Sequence, residues 1–398
     1  MRFGGSEDPH YVFYPHNFIW HIPVNTDRPG LYIHVPFCLS KCGYCSFYSV
    51  SSTHLIPEFV QAVVNEMDFY KETFPSFDTI YLGGGTPSLL SVSQIDDILK
   101  AVHNNFNIDQ HSEITMEVNP GDVSLEYCQQ LRKLGINRLN IGIQSFDDAI
   151  LKFLGRRHTA REATAAIDHA RKAGFKNIGI DLIYGVFGQD IKRWAKTLQK
   201  ALSFAPEHLS CYQLSLDKQT SLFKRYQQDS LPMPSEDQAL DFFKTTSRTL
   251  TQADYIHYEV SNSARSDSLK SRHNMKYWRH VPYLGMGPAA HSFDGENRWW
   301  NTADVEAYLK TIDEGKKPVE KSENLTKEQL ALEALFLGMR TKDGIDLEQY
   351  KTRYGSDLLM EKRQTINELI KNELVGLKDG RLYPTLAGMA VADSLALI

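Results

Sequence analysis

Short β-branched and aromatic runs alternate, through the first half of the chain, with segments whose apolar residues recur at helical spacing. The repeat is about 30 residues, the length of a βαβ unit. The predicted strands are LYIHVPF (31–37), DTIYLGGG (78–85), EITMEVNP (113–120), RLNIGIQS (138–145), NIGIDLIYG (177–185) and HLSCYQLSL (208–216). Between them, 57–73, 91–106, 124–135, 161–174 and 189–205 predict amphipathic helices, with Gly135 and Gly174 closing two as C-terminal glycines do. Alternating units of this kind imply parallel strands with right-handed crossovers, hence an α/β barrel or a doubly wound sheet. Beyond residue 216 the pattern changes to a helix at 235–252, a strand YIHYEVSN and a segment rich in His, aromatic and Gly residues, RHNMKYWRHVPYLGMGPAAHSF. A helix over 303–315 follows, then mainly helical sequence from 325, with Lys378, Asp379 and Gly380 in a predicted hairpin turn. That last part reads as a small helical domain with a β wing.

The pattern divides the chain into 1–30, an aromatic extension that reads as a strap or a tail; 31–230, the βα core; 231–322, an extension; and 323–398, the helical and winged part. At 398 residues and 42% hydrophobic content, one large core and a smaller one are expected. The net charge of −5 gives no basic field, which argues against nucleic-acid or anionic-membrane partners and against a DNA-binding use of the wing. No apolar run reaches the ~18 residues of a membrane span. The N-terminus lacks a signal peptide's layout, so a cytoplasmic location is expected.

The chemistry gathers at the C-terminal ends of the predicted strands, where α/β barrels collect ligands. The first strand runs into Cys38, Cys42 and Cys45, the second into Gly83, Gly84, Gly85, Thr86 and Pro87. The third carries Glu117 and Asn119, the fourth reaches Gln144, the fifth holds Asp181 and the sixth ends near Ser215. Five cysteines, three of them within eight residues, suit a ligand role in a reducing compartment better than a disulfide framework. Cys128 and Cys211 stand apart in apolar company and read as core residues. A structural zinc site normally closes with four ligands from paired arms, and no second arm is visible. Three thiolates on a four-iron cluster leave one iron open to a small molecule, so iron–sulfur is preferred and zinc is the alternative.

The C-x3-C-x2-C spacing, with Tyr44 before the third cysteine and YIHVPF ahead of the first, resembles the radical S-adenosylmethionine superfamily. The resemblance implies a partial (βα)6 barrel, a [4Fe-4S] cluster on Cys38, Cys42 and Cys45, and S-adenosylmethionine on the open iron. An electron from the cluster would cleave that cofactor to methionine and a 5′-deoxyadenosyl radical. Over nearly the whole chain the sequence is similar to the group of oxygen-independent coproporphyrinogen III oxidase and its heme-chaperone relatives. That likeness implies that Tyr32 packs on the cofactor's methionine, that Gly84, Gly85 and Thr86 hold its amino group, and that Glu117, Gln144, Arg156, Asp181 and Ser215 complete the pocket. Arg157 is the alternative to Arg156.

Within the group, the oxidase carries a further cysteine two places after the third, where this chain has Phe47. His273 to Trp278, HNMKYW, matches an HNxxYW motif resembling a heme-binding signature of the chaperones. The expectation is therefore a heme chaperone that passes heme to an acceptor protein, with an electron donor if the cluster is reduced. Anaerobic oxidative decarboxylation of coproporphyrinogen III is the alternative. His273 would either ligate heme or hydrogen-bond a loop, with Tyr277 and Trp278 in the core. A homodimer stays open.

Overall fold

The computed structural model describes residues 28–229, 231 and 233–395. The strap-or-tail reading of the N-terminal extension lies, as far as residue 27, outside the described residues. Six strands, β1 (Gly30–Val35), β2 (Ser76–Gly84), β3 (Asn107–Val118), β4 (Arg138–Gln144), β5 (Ile178–Tyr184) and β6 (His208–Gln213), follow the predicted runs. They pair in chain order and all in parallel. The crossovers are α1 (Ile56–Glu66), α2 (Val92–Asn105), α3 (Leu125–Lys133), α4 (Asp148–Leu154), α5 (Ala160–Lys172) and α6 (Ile191–Leu202). Ser91 with Gln94 and Thr159 with Glu162 form capping boxes at the starts of α2 and α5, each satisfying an otherwise unpaired N–H. The short α4 has no counterpart among the predicted helices; Asp147 caps it and Gly155, in the left-handed region, ends it.

Period-two alternation along the strands separates two environments. Leu31, Ile33, Val35, Ile80, Leu82, Met116, Leu139, Ile141, Ile178 and Ile180 point to the helices and are buried there. Each contributes about 1.5–3 kcal/mol of burial. The other face, the concave interior of a partial (βα)6 barrel, carries Tyr32, His34, Thr79, Tyr81, Glu113, Glu117, Arg138, Asn140, Asp181, His208 and Ser210. Among these, Arg138 is only 1% exposed and His208 is fully buried. A polar interior is costly unless paired or filled, so this face is where a polar ligand would be expected.

The sheet continues at both edges. The chain runs on through α7 (Ser221–Asp229), α8 (Glu236–Gln252), β7 (Ile256–Glu259), β8 (Asn262–Ala264), α9 (Arg272–Trp278), β9 (Tyr283–Met286), β10 (His291–Phe293), β11 (Asn297–Asn301), α10 (Val305–Asp313) and β12 (Val319–Asn324). The order is β12-β11-β10-β9-β1-β2-β3-β4-β5-β6-β8-β7, with β9 parallel to β1. The predicted single strand at 255–262 is thus a hairpin: the Glu259 carboxylate accepts the Ser261 amide at 3.2 Å and turns the chain. Trp194 on α6 donates its indole N–H to Thr246 on α8 at 2.8 Å, fixing the extension to the barrel wall.

From α11 (Lys327–Gly338) onward, helices surround a small sheet of β13 (Ile345–Asp346), β14 (Val375–Lys378) and β15 (Arg381–Pro384) in the order β13-β15-β14. The hairpin turn at Asp379 and Gly380 has both residues at positive φ, 51° and 74°. This part has its own core, with Leu335, Met339, Tyr350, Ile366 and Leu382 inside. Arg298 on β11 grips Glu333 on α11 with two hydrogen bonds of 2.8 and 2.5 Å, tying that core to the sheet extension.

Candidate functional site

The segment that follows β1 is a closed loop. Cys38 N donates to Val50 O at 2.9 Å and Val50 N to Pro36 O at 2.7 Å, so both ends of the cysteine segment are clamped together. Within it Cys45 N bonds Cys42 O at 3.2 Å, while Gly43 O accepts the Leu222 amide at 2.8 Å from the start of α7. The three thiols line a small cavity of about 50 Å³ together with Gly85, Thr86, Asn119, Arg156 and Arg157. Thr86 donates to Cys38 Sγ at 3.3 Å and Arg156 Nη1 to Cys42 Sγ at 3.5 Å. Arg156 is itself held by Gly142 O at 2.9 Å, yet its Nε is buried without a partner. Arg157 is instead committed to Asp122, at 3.1 and 3.2 Å, so the structure puts Arg156 and not Arg157 against the sulfurs.

The arrangement fits an anionic iron–sulfur centre. Hydroxyl and guanidinium donors pointed at two sulfurs stabilise thiolates, and an unpaired Arg N–H at the cavity has donor capacity left for a carboxylate. Cys128 and Cys211 are buried in the core, at 0% and 3% exposure.

The glycine turn after β2 lies beside this loop because no side chain would fit. A Cβ on Gly85 would stand 2.7 Å from Phe37 O and 2.8 Å from Val35 O, and Gly84 adopts φ +106° with its ideal Cβ 2.6 Å from the His34 ring. Glu117 braces the turn: one carboxylate oxygen accepts the Gly84 amide at 3.2 Å, the other the Tyr81 hydroxyl at 2.8 Å. Loss of hydration pushes the Glu117 carboxyl up to about 7, the Asp181 charge adding to it against the Tyr81 and Gly84 bonds. Asn140 holds Asp181 at 2.6 Å, and burial raises Asp181 as well; its second oxygen has no partner. Tyr32 lies beside Tyr81, ring centres 6.1 Å apart, and bonds His34 at 3.2 Å. Gln144 closes β4 at φ +64°, a conformation that costs a non-glycine residue about 1 kcal/mol and is concentrated at functional sites.

Two predicted residues stand apart from this set. Ser215 is exposed beyond the end of β6 and has no hydrogen bond to the pocket among the described residues. His273 lies at the opposite, N-terminal end of the barrel. Its Nδ1 is 2.9 Å from Thr79 Oγ1, its Nε2 is 2.9 Å from Tyr277 Oη, and its ring stacks on Tyr81 at 5.1 Å. It is 1% exposed, and burial, with Lys276 and Arg138 nearby, pushes its pKa down to about 3. The Glu113 carboxylate accepts the first two amides of α9 at 3.2 Å each, fixing this floor against β3. Both ring nitrogens of His273 thus lie within hydrogen-bond distance of protein hydroxyls.

Two family models match the chain: Radical SAM superfamily over residues 32–201 and HemN C-terminal domain over 325–391. Over 368 residues it is 33% identical to the heme chaperone HemW of Lactococcus lactis, covering 92% of this chain and 95% of that protein. The chain belongs to the HemW family. Another HemW, from Bacillus subtilis, is 31% identical over 92% of this chain and 97% of its own. A mouse relative, radical S-adenosyl methionine domain-containing protein 1, mitochondrial, is 33% identical over 93% of this chain and 87% of its own. In three dimensions the HemW-family chain superposes on coproporphyrinogen III oxidase (HemN) of Escherichia coli, a radical SAM enzyme, with a TM-score of 0.80. That match has 24% identity and covers 93% of this chain and 90% of the other, which shows a shared fold. Membership of the superfamily implies the [4Fe-4S] cluster and S-adenosylmethionine.

For this HemW-family chain, sequence reasoning passed over Tyr81, His34 and Asn140. The signal was present as strand alternation: Tyr32 and His34, Thr79 and Tyr81, Asn140 and Gly142, Ser210 and Tyr212 all fall on the inward register.

Proposed function

We propose that the protein is a heme chaperone that binds heme and passes it to an acceptor protein. It carries a [4Fe-4S] cluster on Cys38, Cys42 and Cys45 with exchangeable S-adenosylmethionine beside it. The observation that carries the reading is the loop after β1 in a chain of this family. Three thiols face the cavity, and Phe47, at the position of the oxidase's further cysteine, is 66% exposed to solvent. No fourth thiol of that loop is available to a substrate or to the cluster.

Bound, the cluster and cofactor supply one-electron radical chemistry. The chain's own residues do the rest. Arg156 and Thr86 donate hydrogen bonds to two sulfurs, the glycine turn lets backbone approach the cofactor, and Glu117 fixes that turn. Asp181, Asn140 and Tyr32 line the inward face that would take its polar and apolar parts. In this reading Arg156, with donor capacity to spare, is the partner for the cofactor carboxylate, and Gln144 holds the rim of β4 in place. Heme and its acceptor are the partners, with an electron donor wherever the cluster must be reduced.

The test is an anaerobic assay of the reconstituted protein with coproporphyrinogen III. No decarboxylation above that of a Cys42→Ala variant is expected. Product formed in excess of that background overturns the chaperone reading in favour of the oxidase.

A further inference from the structure

We propose that the heme iron is ligated by His291, on the concave face of the sheet extension beside the barrel mouth. The inference rests on the heme-binding reading above and says where the cargo sits.

Most of the described histidines give a ring nitrogen to the protein, His273 both of them. Four are exposed: His54, His103, His111 and His291. His54 precedes α1 and His103 lies on α2, on the outer layer, while His111 lies near the start of β3, away from the mouth. None of these three has an aromatic ring against it among the described residues. His291 does. Its imidazole lies on the Trp300 indole with ring centres 5.4 Å apart and planes 21° from parallel. No hydrogen bond occupies either of its nitrogens among the described residues.

Cross-strand register places the chemistry in one row. His291 on β10 is directly opposite Trp300 on β11, and Trp300 is opposite Lys321 on β12. Directly paired residues share a face. The neighbouring pair, Ser292 and Trp299, takes the other face, where Trp299 stacks on Tyr70 at 6.1 Å against the helices. The His291 row therefore projects on the barrel side. Its place along the barrel is fixed by β9: Gly285 pairs with Tyr32 of β1, and a Cβ on Gly285 would overlap the His291 carbonyl oxygen. His291 thus stands next to the Tyr32–His34 row that faces the glycine turn.

This is the chemistry a heme needs. A neutral imidazole with an open nitrogen can take the axial position on iron. The iron–nitrogen bond lies in the imidazole plane, so the porphyrin would stand across the His291–Trp300 stack, its face against the indole edge. Trp300 would hold the imidazole against rotation. The Lys321 ammonium, exposed two strands away and about 10 Å across the sheet, is placed for a propionate. Heme held there would abut the radical SAM pocket, which gives the cluster and the cargo a common mouth.

The test is anaerobic titration of the reconstituted full chain with hemin, followed by Soret absorbance and by EPR of the ferric form. Wild type should take up heme. His291→Ala should weaken heme binding at least tenfold, and His291→Met should move the Soret band and the ferric EPR signature, with iron and sulfide contents unchanged in both. Lys321→Ala should weaken binding without moving the band. Unaltered affinity and spectra in both His291 variants would overturn the assignment while leaving heme binding intact. No heme uptake by wild type would instead overturn the heme-chaperone reading itself.

Discussion

Thr86 donates its hydroxyl to Cys38 Sγ at 3.3 Å, linking the turn after β2 to the cysteine loop after β1. Arg156 likewise donates to Cys42 Sγ, at 3.5 Å. Thr86→Val keeps the shape and removes the donor. We expect a stability loss of about 1 kcal/mol and a cluster reduction potential shifted to more negative values, because one stabilising dipole beside the reduced cluster is gone. Urea denaturation and an EPR-monitored redox titration check both.

Gly85 has a stricter requirement. An alanine methyl would press on two carbonyl oxygens of the segment that leads into the cysteines, those of Val35 and Phe37, within 2.8 Å. Backbone cannot rotate aside as a side chain can, so Gly85→Ala should cost about 1–3 kcal/mol and lower the iron content after reconstitution. Thermal melts and iron analysis would show it; a variant with wild-type melting and iron content would contradict the close approach.

Glu66 on α1 is fully buried and accepts bonds from Tyr308 at 2.7 Å, Asn301 at 2.6 Å and the Gly287 amide at 2.8 Å. Burial pushes its carboxyl from 4.5 up to about 7, those three bonds only partly offsetting it. The folded state therefore holds a proton that the unfolded state releases first. Its contribution to stability is fully present below pH 4.5 and declines as pH rises toward about 7. A shift of this size is worth about 3 kcal/mol. Relative to Glu66→Gln, wild type should lose stability across that window, as urea midpoints at pH 4.5 and 7.5 will show. Parallel curves would place the titration elsewhere.

His273→Ala should behave as a core lesion. It empties part of the barrel floor and leaves Thr79 and Tyr277 without their bonds, a loss of about 2–4 kcal/mol. Chemical denaturation measures the loss, and the Soret position of any bound heme should not move.

The six parallel strands and their helices were legible because each strand has a continuous apolar register facing the helices and each helix an apolar stripe. Leu31, Ile33 and Val35 on β1 and Ile95, Ile98, Leu99 and Val102 on α2 are such sets. The cysteine loop and the glycine turn were legible because their spacing has few other uses. The place of His273 was not. HNMKYW specifies a short aromatic helix, but which end of the barrel it closes depends on long-range partners, Glu113, Thr79 and Asp78, that lie about 160–195 positions away. The hairpin at β7 and β8 was hidden for a similar reason: the buried Glu259 turns a run in which Tyr255, Ile256, Tyr258 and Val260 favour extended structure. His291 carried no local signal, since only the pairing of β10 with β11 puts it on Trp300.

The central claim is that this chain holds heme as cargo. Equilibrium titration of the anaerobically reconstituted protein with hemin, read by Soret absorbance, tests it most directly. The account predicts saturable uptake near one heme per chain, unchanged in His273→Ala protein that is still folded. Absence of saturable uptake, together with decarboxylation of coproporphyrinogen III, would contradict it.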